Sequence, residues 1–429
     1  MRRSPVALLI ALQLVLLGAA GLVTVARFPV WALVDELAHF DYAVTIGQDA
    51  RLPVLDEDVV SSDALALGGQ TGEDPAQLGL RGESYEAFQP PLYYALLAPV
   101  AAAGGERMAT VRIMRAVGLV LLGIGTWLTW LLALRVFDDD DDPLAAPAAF
   151  ALALCVFFLP AFVIRGVTIA NTALALPLAL AVVLLCWDAL EREDVRRLLA
   201  AGVVLGLALL TRLELAVLAP LLAGVAWLLW RRGAVRTAPA LGAVAAPLVL
   251  LAPWLAWNLH RYGALTASDL ARDMQEPALN PTGATYGASD LIDGAKRVFG
   301  GALPEEWWSR YLSAGWRVAR DVLAAVVIVG PAVLAAVRPP ERITRALAFL
   351  VAPLVLTAAA LAFVLLAGQF DLLKPRYLHP VLPAYALFVA LVLRRWLSAR
   401  GIALVAAVGT AGLAILWLVV AGGPTYTGA

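Results

Sequence analysis

Nine residues, Val34 to Tyr42, read VDELAHFDY and set Asp35, Glu36, His39 and Asp41 directly after the first long apolar run of the chain. Ionisable groups at a bilayer edge are costly, so such a cluster marks a candidate functional site. Adjacent carboxylates there can take a proton from an incoming hydroxyl, which is general-base work. They can equally cap the start of a helix. On a helix Asp35 and His39 stand one turn apart and share a face. A histidine among acids invites a metal reading, but the spacing is not that of a metal motif, and hydrogen bonding on a helix surface explains it as well.

Cations come next. Arg112 and Arg115 open the apolar run that starts near residue 109. Arg165 stands in IRGVTIAN, residues 164–171, which ends on Asn171. Lys374, Arg376, Tyr377 and His379 stand in DLLKPRYLHP, residues 371–380. Arginine offers paired donors that suit a phosphate. Each of these groups also fits an ordinary role, as a snorkelling side chain or an interface anchor. A carboxylate base facing several phosphate-ready cations is what a reaction with a lipid-phosphate leaving group requires.

The elements that must position these residues are membrane helices. Of 429 residues, 62% are hydrophobic and 15% charged, with net charge −1 and mean hydropathy +0.82. Soluble domains hold roughly 45–50% apolar residues. The apolar blocks reach the ~20 residues that a spanning helix needs. The fold class is therefore all-α and polytopic; a barrel would alternate in short segments. A balanced charge gives no electrostatic case for nucleic acid. Cys155 and Cys186 fall in apolar runs and read as small buried hydrophobes.

Eleven spans are expected, near residues 6–28, 109–137, 144–164, 170–188, 197–211, 213–230, 237–257, 321–337, 345–367, 378–396 and 401–421. The segment 197–211 is the weakest of them. The first is read as retained, since no small-residue cleavage site follows it. Residues 29–107 form an outer loop, in which 89–103 (QPPLYYALLAPVAAA) is too short to span comfortably and reads as an interfacial helix. Its Tyr93 and Tyr94 suit the headgroup level. With the N-terminus cytoplasmic, the Arg-rich loops 191–197, 230–236, 337–345 and 393–400 fall inside, as the positive-inside rule asks. The histidines and lysines then fall outside. Residues 1–260 form a candidate catalytic module, 261–320 an aromatic-rich outer loop and 321–429 the C-terminal spans.

The order of these signals resembles the GT-C superfamily of integral-membrane glycosyltransferases, such as protein O-mannosyltransferases and lipid A aminoarabinose transferases. The matching residues are Asp35–Glu36 after span one, QPPLYY at Gln89–Tyr94, Arg112 and Arg115, Arg165 with Asn171, and PRYLHPVLP at Pro375–Pro383. DExxH and PPLYY are also similar to predicted membrane proteins grouped beside that superfamily. The resemblance implies an inverting transfer from a polyprenyl-phosphate sugar to a lipid, glycan or protein hydroxyl, on the extracytoplasmic face of the plasma membrane. Asp35 would be the base and Glu36 its support. Arg112, Arg115, Lys374 and Arg376 would bind donor phosphate. His39, Asp41, Gln89, Tyr93, Tyr94, Arg165, Asn171, Tyr377 and His379 would line the substrate site. Asn171 stands where such families often carry an acid, and Gln89 where some carry lysine. No metal ligand is assigned, although a divalent cation remains an option. The alternatives are a lipid-linked saccharide carrier, with Arg212 and Glu214 in its path, and a non-catalytic binding protein.

Overall fold

The computed structural model describes residues 4–32, 35–69, 84–271, 273, 347–357 and 377–421. Regular structure among them is helical, as the composition requires. In order, α1 is Pro5–Arg27, α2 Glu36–Asp49, α3 Ser62–Gly69, α4 Leu92–Gly104, α5 Met108–Val136, α6 Ala145–Phe157, α7 Pro160–Val167 and α8 Thr172–Arg192. Then come α9 Val195–Leu209, α10 Ala219–Arg231, α11 Thr237–Tyr262, α12 Leu382–Leu393 and α13 Ala399–Ala421.

Six helical segments are long and apolar enough to cross a membrane: α1, α5, α8, Leu213–Arg231, α11 and α13. α6 and α7 form a pair bent by 73°, a broken span or a re-entrant loop. The chain is thus a multi-pass membrane protein. Eleven spans are not reached among the described residues. The expected span 321–337 and much of 345–367 lie outside them. The segments 197–211 and 378–396 hold only α9, of 15 residues, and α12, of 12. At about 1.5 Å per residue, both fall short of the ~30 Å hydrocarbon core.

The chain packs as two compact units. One comprises Met1–Gly21, Gly123–Ile164 and Thr285–Val420. There Gln13 of α1 donates to the carbonyl of Ala151 in α6 and to the Thr410 hydroxyl in α13, both at 2.8 Å. Trp417 donates to the Phe158 carbonyl at 2.8 Å.

The other unit comprises Leu22–Leu122, Arg165–Ala284 and Ala421–Ala429, and it holds the outer-loop helices. α9 packs against α8 and α11. Its buried residues Leu198, Ala201, Gly202, Leu205, Ala208 and Leu209 recur at helical spacing, and Asp194 caps it by accepting from the Arg196 amide at 2.8 Å. α2 packs on α4. Gly47 allows the close approach, because a Cβ there would run into the Ala98 carbonyl. The core between them is aromatic: Trp31, Phe40, Tyr42, Tyr93 and Tyr94, with Leu97, Met114 and Ile169.

Candidate active site

After α1 the chain turns through Phe28–Trp31 before α2 begins, and two side chains fix that turn. Arg115, from α5, is 1% exposed. It donates to the Phe28 carbonyl at 2.6 Å and the Pro29 carbonyl at 3.1 Å. It also grips Glu36 through two donors, at 2.8 and 2.6 Å. Trp31 takes a left-handed backbone, φ 65°, which a bulky residue adopts only under constraint. The constraint is burial, with the ring 5.3 Å from Phe40 and the indole N–H donated to the Ala64 carbonyl at 3.0 Å.

Asp35 follows as the N-cap residue of α2, its carbonyl accepting from the His39 amide at 3.1 Å. Its carboxylate accepts from the Tyr85 hydroxyl at 3.2 Å. The residue is buried, 9% exposed. The helix dipole favours negative charge at this end, and the Tyr85 donor adds to that effect.

The remaining acids and His39 turn inward. Glu36 also accepts from the Ile169 amide at 3.1 Å, tying α2 to the segment before α8. His39 Nδ1 and the Tyr94 hydroxyl share a hydrogen bond of 2.8 Å. Asp41, buried on α2, accepts from the Ser84 hydroxyl at 2.9 Å and from the Ser61 amide at 3.4 Å. Burial pushes its carboxyl up to about 6, against the pull of those two bonds, with Glu106 and Asp58 adding to the rise.

The aromatic pair is enclosed as well. Tyr93 and Tyr94 are 0% exposed. Tyr94 stacks on Tyr42, centroids 3.8 Å apart, and the Tyr93 hydroxyl accepts from the Ala170 amide at 3.1 Å. The headgroup-level position expected of these two tyrosines is corrected: full burial and internal hydrogen bonds make them the joint between α2, α4 and the start of α8. Arg115 is corrected likewise. Its guanidinium is spent on Glu36 and two carbonyls, so it is a buried counter-ion, and Glu36 is its partner. His39 and Asp41, expected to touch substrate, bond to Tyr94, Ser84 and Ser61 instead.

Gln89 and Asn171 meet. The Asn171 amide donates to the Gln89 side-chain oxygen at 3.2 Å. The two positions at which the chain departs from the GT-C pattern are thus hydrogen-bonded to each other. Arg112 is exposed on the first turns of α5, and Arg165 is half-buried. Tyr377 and His379 belong to the other unit, where the His379 ring lies 4.9 Å from Phe162. Lys374 and Arg376 lie outside the described residues. Among the described residues no three His, Cys, Asp or Glu side chains converge as metal ligands.

Sequence reasoning missed Ser84 and Tyr85. They stand in GESYEAFQPP, residues 82–91, directly before a motif it did single out. Arg212, with Glu214, was a candidate only for the path of the alternative carrier. Arg212 is buried and paired with Glu214 at 2.9 Å. Leu210 beside it accepts from the Leu92 amide at 3.0 Å, which sets this turn against the start of α4.

Residues 88–257 match the family model described as dolichyl-phosphate-mannose-protein mannosyltransferase. No curated protein matches. Among solved structures the chain is similar to ArnT from Cupriavidus metallidurans bound to undecaprenyl phosphate, with TM-score 0.55 and 14% identity. The match covers 96% of this chain and 63% of ArnT, so the chain spans under two thirds of that protein's length. The likeness shows a fold shared with ArnT.

Proposed function

We propose that this protein is a membrane glycosyltransferase that takes its sugar from a polyprenyl-phosphate donor, with Asp35 as the base. The single observation that carries the reading is the placement of Asp35. It heads a helix just beyond the first span and is held by the Tyr85 hydroxyl, within a fold shared with a protein that binds undecaprenyl phosphate. The match of residues 88–257 to a lipid-phosphate-sugar transferase family supports the same reaction class.

The reaction runs in one displacement. The Asp35 carboxylate takes the acceptor hydroxyl's proton as that oxygen attacks the anomeric carbon. The bond from that carbon to the phosphate oxygen breaks, its electrons stay with the phosphate, and the configuration inverts. The proton on Asp35 then passes to solvent or to the released lipid phosphate. Negative charge grows on the leaving phosphate, where preorganised cations lower the barrier. Arg112, Lys374 and Arg376 are the candidates for that task, and a divalent ion would serve it equally. The acceptor is a lipid, glycan or protein hydroxyl, met on the extracytoplasmic face.

The test is sugar release and transfer by protein in lipid nanodiscs, supplied with dolichyl-phosphate mannose and undecaprenyl-phosphate aminoarabinose, wild type beside Asp35→Asn. Turnover is expected to fall by about 10²–10⁴-fold in the variant, the usual contribution of a positioned base, with thermal unfolding unchanged. Equal turnover in the two proteins would remove Asp35 from the mechanism. Lipid-phosphate binding without turnover in wild type would favour a carrier.

A further inference from the structure

The six residues Ser84–Gln89 form a strap over α2, and α2 itself holds both of its ends. At one end the Ser84 hydroxyl donates to Asp41 at 2.9 Å. At the other the Tyr42 hydroxyl donates to the Gln89 carbonyl at 3.0 Å. Asp41 and Tyr42 are consecutive. Between the two fastenings Tyr85 reaches back along the helix, and its hydroxyl donates to Asp35 at 3.2 Å. Asp35 and Asp41 are six residues apart, about 9 Å along the axis of a rigid helix. We propose that Asp41 is a positioning residue: through Ser84 it fixes the strap at the register that puts the Tyr85 hydroxyl on Asp35, and so tunes the basicity of that carboxylate. The consequence for catalysis rests on the reading of Asp35 as base.

Three features support this. First, Asp41 is 5% exposed, and a buried carboxylate is expensive unless its bonds are put to use. Burial pushes its carboxyl up to about 6. Second, an ionised acceptor holds a hydroxyl more strongly than a neutral one does. Third, the strap is gripped elsewhere without Asp41: the Ser84 amide donates to the Asp58 carbonyl at 3.0 Å, and Ala87 packs with Leu55, Ala267 and Ala271. Loss of the Ser84–Asp41 bond should therefore shift the strap's register and leave the strap in place. The charged groups around Asp41 are Glu106, Asp58 and Arg51. Along the head of α2 the other titratable side chains are Glu36, paired with Arg115, and His39, bonded to Tyr94.

A hydroxyl that donates to a carboxylate favours its charged form, so losing the donor raises proton affinity. The experiment follows the titration of the Asp35 carboxyl by infrared difference spectroscopy in lipid nanodiscs, isolated by subtracting Asp35→Asn. Tyr85→Phe is expected to move the midpoint up by about 0.5–1 pH unit. Ser84→Ala and Asp41→Leu should move it in the same direction, and Asp41→Asn, which keeps an acceptor for Ser84, should move it less. Ser84→Ala added to Tyr85→Phe should add nothing, because both act through one bond. A midpoint unmoved in Ser84→Ala but raised in Tyr85→Phe would overturn the proposal, as would equal shifts in Asp41→Asn and Asp41→Leu. Should Asp41→Leu fail to fold, Ser84→Ala still decides. None of these readings needs turnover, so the Asp35→Asn activity measurement stands or falls separately.

Discussion

Arg115 and Glu36 carry opposite charges, each buried to within 2% of its side-chain area. Removing one partner of such a pair leaves the other charged and unsolvated, typically at about 3–5 kcal/mol. Glu36→Gln and Arg115→Met should each lower the unfolding midpoint in detergent by several degrees, whereas the pair Glu36→Gln/Arg115→Met should recover part of the loss. Arg115→Lys should fail to rescue, since a point charge cannot serve Phe28, Pro29 and Glu36 at once. Differential scanning of wild type and the four variants gives the answer, and strict additivity would deny the coupling. The residue types at this site were legible in the sequence; their pairings were not. Arg115 reads as a phosphate ligand because arginine at a membrane edge suits an anion. That the anion is Glu36, 79 positions earlier, is information held only in the packing of α5 on α2. Tyr85 gave no signal of its own, because a tyrosine in a polar loop has many ordinary explanations.

At the scale of elements, the helices of the outer loop were foreseeable from their prolines and short apolar runs. α4 falls where QPPLYYALL marks a helix start. The inward turn of its tyrosines was hidden, because a tyrosine suits a headgroup and a core equally well. The joint between the strap and α8 offers a sharper test. Gln89 and Asn171 are a neutral hydrogen-bonded pair, with Asn171 2% exposed. Asn171→Asp alone buries a carboxylate against an amide and should destabilise the protein by about 1–3 kcal/mol. Gln89→Lys alone places an ammonium there at a comparable cost. The double variant makes an ion pair with the same reach, and it should be more stable than the sum of the single changes by at least ~0.5 kcal/mol. Unfolding midpoints of wild type, both singles and the double close the cycle. A coupling of zero would mean that the two side chains are not neighbours in the folded protein.

For the whole molecule, hydropathy was enough to read a polytopic helical membrane protein, since a spanning backbone must satisfy its hydrogen bonds within itself. Span number was harder. A threshold on apolar length cannot separate α9, which lies against α8 and α11, from a crossing helix. A broken pair such as α6 and α7 can count as one span or none. Orientation rests on charge. The α8–α9 and α10–α11 junctions, counting the adjoining helix ends, carry Arg192, Arg196, Arg197, Arg231, Arg232 and Arg236, and arginine in and beside short loops is retained on the cytoplasmic side. If those loops are cytoplasmic, α1 and α2 would lead in the other direction and put Asp35 outside, where a lipid-linked sugar and a cell-envelope acceptor would meet. Single cysteines test this in a chain whose Cys155 and Cys186 are both replaced by serine. Asp49, at the end of α2, and Arg232, just after α10, have about half of their side-chain area exposed. A membrane-impermeant maleimide should label Asp49→Cys in intact cells, and Arg232→Cys only after permeabilisation. The reverse pattern would put Asp35 in the cytoplasm and refute extracytoplasmic transfer while leaving the fold untouched. Labelling of both in intact cells would mean that an even number of crossings separates Asp49 from Arg232, and that α9 with α10 passes through the bilayer differently from a simple hairpin.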